Sequence, residues 1–209
     1  MVREVVDSDR TSIPLSRARM VIFSGTRMQD YNILVTFHHN DRWRAEREVI
    51  EILRDVGLEL EDLMESTVPG LLYLRVAGSG KDAVRKLRKF AFRFPEMFRS
   101  THRWTPIEEW VSSTPEAMVS AAKIFGGRLR KDERWKMEVV KRHYQEGSTM
   151  DIILMLTDPI DAGDVDLEDP EKIIKVEIIG DFAGFSLVDP EEYLDINEVR
   201  VERGLMKIY

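Results

Sequence analysis

The chain has no cysteine, so disulfides, zinc–thiolate centres and thiol chemistry are excluded, and an intracellular, cytoplasmic address is the simplest expectation. It has no apolar run near the roughly 20 residues that span a bilayer, and its start lacks the apolar core of a signal peptide, so no membrane partner is expected. Histidine is scarce, at four in 209 residues. His38 and His39 are adjacent, and strand alternation would send them to opposite faces, while His102 and His143 are isolated. That spacing offers no metal-ligand cluster, and neither a metal nor another cofactor is expected.

Signatures of common enzyme chemistry are missing as well. No GxxxxGK[ST], GxGxxG or GxSxG occurs. The run Gly78-Ser79-Gly80-Lys81 lacks the first glycine of a phosphate loop and is followed by Asp82, so it reads as a loop before a helix. The acidic stretch 158–171 does not have the register of an EF-hand and reads as a solvated connection.

What is present is ordinary globular material, 43% hydrophobic, long enough for two small domains that each bury a core. The net charge of −7 is unevenly spread. Residues 81–104 hold eight basic residues against two acidic, 121–144 eight against three, and 145–209 five against seventeen. Two basic blocks in an acidic chain can still make a phosphate-facing surface, because a ligand responds to the local field.

Residues 1–27 carry no sustained period and read as an extension, with Met20 and Met28 both readable as start sites. From Tyr31 the pattern predicts a buried strand, then a helix with Ala45, Val49, Ile52, Leu53 and Val56 inward, capped by Asn40 or Asp41 and ended by Gly57. Two short strands follow around Val68-Pro69-Gly70. A second helix turns Val84, Leu87, Phe90, Ala91 and Phe94 inward, and a last strand covers 99–104. The order β-α-β-β-α-β is the ferredoxin-like split arrangement. A second unit then reads as a short helix at 107–111, a helix opened by a Ser113/Glu116 capping box, a strand at 135–142, a helix at 149–157, and a hairpin through Gly180 and Asp181. The tail beyond 189 is weakly patterned. The fold class expected is α+β, with boundaries at 1–27, 28–104, 105–190 and 191–209.

Lys81, Arg85, Lys89 and Arg93 fall at successive i+4 positions of the second helix. Like charges at that spacing oppose a helix by roughly 0.2–0.5 kcal/mol a pair, which suggests that something else profits from the row. Two candidates are a polyanion and the acidic C-terminal third folding against it. Arg128, Arg130, Lys131 and Arg134 precede the 135–142 strand, which carries Lys136, and Lys141, Arg142, His143 and Tyr144 leave its far end. Such cations suit a phosphate backbone, and the two rings suit stacking on an unpaired base. The helix start at Ser148 would add backbone amides to a phosphate site.

The run KMEVVKRHY, with Val165-Asp166-Leu167, Pro170-Glu171, Val176-Glu177-Ile178, Gly184 and Ser186 in that order, resembles the core of a THUMP domain, the RNA-binding module of tRNA-modifying proteins. YNILVTFHHNDRWRAEREVIEIL and VPGLLYLRV resemble the ferredoxin-like domain that precedes THUMP, especially in stand-alone proteins related to the accessory factor for tRNA cytidine N4-acetylation. The likeness covers residues 28–190. It implies a ferredoxin-like domain followed by an α-α-β-α-β-β THUMP domain. It also implies a tRNA-binding accessory protein that is itself no enzyme and presents the acceptor stem and 3′ end to a separate tRNA-modifying enzyme, an acetyltransferase being the kind of partner the resemblance suggests. Two rival readings are a protein-interaction scaffold using the acidic C-terminal third, and an RNA-acting enzyme using His38, His39 and Asp41.

Overall fold

The computed structural model describes residues 27–206. Most of the predicted extension, with Met20, lies outside them. The first unit runs β1 (Ile33–Phe37), α1 (Arg42–Val56), β2 (Leu60–Glu65), β3 (Leu71–Val76), α2 (Gly80–Arg93) and β4 (Thr101–Pro106). This is the expected β-α-β-β-α-β order, and β1 lies between β3 and β4, antiparallel to both. Ser79 opens α2 by accepting a hydrogen bond from the Asp82 amide at 3.3 Å, so the Gly78–Lys81 run is a helix cap.

The second unit runs β5 (Glu109–Ser112), α3 (Pro115–Gly126), β6 (Arg134–Arg142), α4 (Thr149–Thr157), β7 (Asp164–Val165), β8 (Lys172–Ile179) and β9 (Phe182–Val188). Its sheet order is β5-β9-β8-β6-β7, with β6 parallel to β7 and β8 and the remaining pairs antiparallel. The chain is thus α+β.

Three local expectations change. The helix predicted at 107–111 is strand β5, because Trp110 is buried against the first unit and donates its indole N–H to the Tyr31 carbonyl at 2.8 Å. Gly184, across the ladder from Trp110, leaves room for that indole, since a Cβ there would come within 3.0 Å of it. The cap of α3 is Thr114 rather than Ser113, whose hydroxyl instead donates to the Gly180 carbonyl at 2.8 Å. The tail is no loose appendage: β10 (Leu194–Asp195) pairs with β4, and α5 (Ile196–Glu202) buries Ile196 and Val199 in the first core.

Alternation along β1 and β3 sends Ile33, Val35, Leu72 and Leu74 to α1, α2 and α5. It sends Leu34, Leu71 and Tyr73 to the opposite face, where they meet Ile107, Trp110 and Ile179. On β8, Ile174, Val176 and Ile178 face α3 and α4, and Ile173 and Ile179 face away from them. The result is helices, sheet, sheet and helices in four layers. Seven of the eight β8 residues are buried, so the strand reads as a continuous apolar run broken by Lys175 and Glu177. Each fully buried aliphatic side chain here contributes on the order of 1.5–3 kcal/mol.

Candidate nucleic-acid interface

The C-terminal return decides which cations of α2 remain available. Glu192, just before β10, is 4% exposed and accepts from Lys81 Nζ at 3.0 Å and from the Arg85 guanidinium. Arg85 also holds Asp82 at 2.7 Å, and Arg88 meets Glu202 of α5 at 2.8 Å. Lys81 further donates to the Leu187 carbonyl at 2.6 Å. The i+4 row is therefore split: its first half is an internal clamp, as the acidic-third reading anticipated. Lys89 and Arg93 stay exposed, as does Lys86 beside them, and none of the three forms an ion pair among the described residues.

The residues at the end of β6 divide in a similar way. Arg142 is turned inward, with its guanidinium 2.6 Å from Glu177, which is 5% exposed. Burial pushes the Glu177 carboxyl up from its usual range, and Arg142 opposes that shift. Lys175, on the same face of β8, is pushed down by burial, stabilised by Glu138 at 2.5 Å, and lies 3.3 Å from the Tyr193 ring centroid. Arg142 thus pairs with a buried carboxylate across β6 and β8 of the second unit, and its expected role as an exposed phosphate ligand is corrected. Lys141 folds over the following loop and donates to the Gly147 carbonyl. His143 is exposed and adopts a left-handed φ of 52°, the one non-glycine to do so among the described residues. Tyr144 is half-buried against the second core, its hydroxyl 3.2 Å from Glu146, and burial raises its pKa.

The amides at the start of α4 are not open to a phosphate, contrary to expectation. Ser148 Oγ accepts from the Asp151 amide at 3.1 Å, and Asp151 Oδ2 accepts from the Ser148 amide at 2.8 Å. This capping box supplies its own anion, and the Ser148 hydrogen bonds hold the Asp151 carboxyl below its usual range.

In the loop before β6, Arg128 pairs with Glu108 at 2.8 Å and lies over the Phe125 ring. Arg130 pairs with Asp132 and Glu133, both at 3.4 Å. Arg134 binds Asp169 at 2.6 Å, and Lys136 binds Glu138 at 2.8 Å. Lys131 is exposed without such a pair among the described residues. The acidic stretch 158–171 is accordingly more than a solvated connection. Asp166 accepts from the amides of Glu168 and Asp169, both at 3.0 Å, and the turn so formed wraps Arg134.

Sequence reasoning missed several residues around the end of α2. Phe94, expected inward, is 41% exposed and Phe92 44%, and the guanidinium of Arg203 reaches the Phe92 carbonyl at 2.9 Å. Arg200 similarly reaches the Phe98 carbonyl at 2.7 Å. The spacing of Lys86, Lys89 and Arg93 on one helical face was available as a signal, whereas the approach of α5 was not. The histidine pair also differs. Both residues follow the end of β1, so strand alternation does not apply, and their rings stack with centroids 4.8 Å apart. Asp41, the third residue of the enzyme reading, lines a cleft of about 520 Å³ with Arg44, Arg47, Glu48 and Arg99, and neither histidine lines it. Glu48 is committed structurally, accepting from the amides of Arg99, Ser100 and Thr101 at 2.8–2.9 Å.

Among the described residues no helix is long and apolar enough to cross a membrane, and no group of three or more His, Cys, Asp or Glu is arranged to hold a metal ion.

No family model matches the sequence, and no curated protein matches it. Solved structures share the fold. PH1313 from Pyrococcus horikoshii superposes with a TM-score of 0.57 at 12% identity, over 79% of this chain and 55% of its own. TrmN from Thermus thermophilus gives 0.51 at 13% identity, over 74% and 44%. A predicted N6-adenine-specific DNA methylase from Listeria monocytogenes gives 0.50 at 12% identity, over 76% and 40%. The chain spans about half the length of these proteins or less. The likeness overturns the expectation that the chain is not an enzyme. The same fold recurs inside a protein described as a methylase, so the architecture gives no ground for setting catalysis aside.

Proposed function

We propose that this chain binds folded RNA, tRNA foremost, and holds it for chemical modification. The observation that carries the reading is segregated charge: Lys86, Lys89 and Arg93 share one exposed face of α2 without carboxylate partners among the described residues, in a chain of net charge −7. Part of the acidic third that lowers the total charge is spent on internal pairs such as Glu192 with Lys81 and Arg85. A polyanion therefore meets a local positive field.

On the second unit, Lys131, Lys141 and His143 are the residues proposed to touch the RNA backbone. Arg128 and Arg130 join them by exchanging Glu108 and Asp132 for phosphate, since such surface pairs are worth only about 0–1 kcal/mol. Lys136 stays with Glu138 and Tyr144 with the core, and neither is kept as a direct ligand. Recognition is by shape and backbone, because the major groove of an A-form helix is too narrow for side chains to read. The fold shared with the predicted N6-adenine-specific DNA methylase supports a modification setting, and the THUMP resemblance supports tRNA, by its acceptor stem and 3′ end, as the RNA held.

Two reaction classes follow: cytidine N4-acetylation from the resemblance, and base methylation from the methylase likeness. The test is binding of intact tRNA against tRNA lacking its 3′-terminal nucleotides, together with nucleoside mass spectrometry of tRNA from a deletion strain. The reading predicts tighter binding of intact tRNA and loss of one modified nucleoside. Failure to bind either RNA, or equal binding of both that is insensitive to salt, would sink it.

A further inference from the structure

Phe92 and Phe94 are 44% and 41% exposed, although α2 already has a buried face of Ala83, Val84, Leu87 and Ala91 without them. Each ring lies beneath a guanidinium. Arg203 Cζ is 5.5 Å from the Phe92 centroid and Arg93 Cζ is 5.7 Å from that of Phe94. Arg203 is tied in place by its hydrogen bond to the Phe92 carbonyl. Phe94 rests on a line of rings that runs into the core, with centroid separations of 5.1 Å to Phe90, 6.2 Å from Phe90 to Phe98 and 6.1 Å from Phe98 to Trp104. Phe98 and Trp104 are fully buried, so the outer ring is supported and loses little freedom when something stacks on it.

Lys89 stands one turn before Arg93, and Lys86 a further turn back, on the same side of the helix. An uncharged protein surface would satisfy the rings and leave these cations unanswered. A duplex would satisfy the cations and hide its base faces from the rings. An unpaired nucleic-acid strand answers both, since bases stack on aromatic faces while the phosphates between them meet the cations.

We propose that the edge formed by the end of α2 and by α5 is a stacking platform for an unpaired segment of RNA. The platform rests on the RNA-binding reading above and adds a location and a preference for single strands to it.

The experiment uses the full chain and fluorescence anisotropy with three labelled probes: a single-stranded RNA of about ten nucleotides, a blunt RNA duplex and a tRNA transcript. The expected result is that Phe92→Ala with Phe94→Ala weakens single-strand binding by about tenfold or more, the order of one stacked base. Duplex affinity should stay within about twofold, because backbone contacts dominate it. Phe94→Tyr keeps a ring and should keep single-strand binding, which separates loss of stacking from loss of fold. Binding of tRNA with no single-strand binding, or single-strand binding unmoved by the double substitution, overturns the platform and leaves the RNA reading intact. Failure of all three probes to bind overturns both. Self-association abolished by the same substitutions, with single-strand binding unmoved, overturns the platform in favour of a protein contact.

Discussion

The two ends of α2 have the same spacing of cations and opposite fates. Lys81 and Arg85 are spent on Glu192, a carboxylate that arrives more than a hundred residues later, and they hold the C-terminal return against the first unit. Lys89 and Arg93, one and two turns further on, meet no such carboxylate and stand beside exposed rings. Identical residues on one helical face thus divide into a structural clamp and an open surface. The end of β6 repeats the lesson over two adjacent residues, where Arg142 is locked to buried Glu177 and Lys141 only covers a loop. Charge in a sequence identifies who is cationic. Which cations are available depends on where the carboxylates fold to.

The largest effect is expected at the buried pair. Arg142→Ala should leave Glu177 buried without its partner and cost about 3–5 kcal/mol in urea unfolding. The sign of the pH effect follows from burial. A carboxyl whose folded pKa is raised contributes stability below its unfolded pKa of about 4.3 and loses it as pH rises through the folded value. Removing Arg142 strengthens that upward push on Glu177. The penalty should therefore shrink as pH falls toward about 4, as read from urea midpoints of variant and wild type across the range. A constant penalty would mean that Glu177 is not the strained group.

Glu192→Gln should cost less, about 2 kcal/mol, since Lys81 and Arg85 retain partial access to water once released. It also converts the closed end of α2 toward the open one, so tRNA binding should tighten and its salt dependence steepen. Stability lost with no change in binding would show that the row acts only as a clamp.

On the open side, Lys89→Ala with Arg93→Ala should leave the melting temperature essentially unchanged. It should weaken tRNA binding and flatten the slope of log affinity against log salt by about 1.5–2. An unaltered slope would remove α2 from the interface. The smallest effect is expected from Lys131→Ala, a single exposed cation, with a slope change of about 0.7–0.9 and no change in thermal denaturation.

Much of the architecture was legible because it depends on local period. The apolar spacing of α1, the Ser148 cap and the alternation of β1 and β3 each follow from neighbours in sequence. The failures share a cause. Glu109–Ser112 has the composition of either element, and it is a strand because Trp110 finds Tyr31 in the other unit. Leu194–Asp195 is too short to show a period, and β4 makes it a strand. His38 and His39 lie beyond Phe37, where β1 and its alternation end, and their rings stack. Phe94 has core spacing, but α2 ends at Arg93, and the ring points out to solvent.

Amino-acid order alone determined the run of helices and strands, the two basic blocks and the absence of thiol chemistry, since each rests on residue type or on periods of two and 3.6. The pairing of cations with carboxylates, the locking of Arg142 to buried Glu177 and the exposure of the α2 rings were decided only in three dimensions. Coulomb attraction and burial act over distances of a few ångströms in space, and these bring together residues such as Lys81 and Glu192 that the chain separates widely.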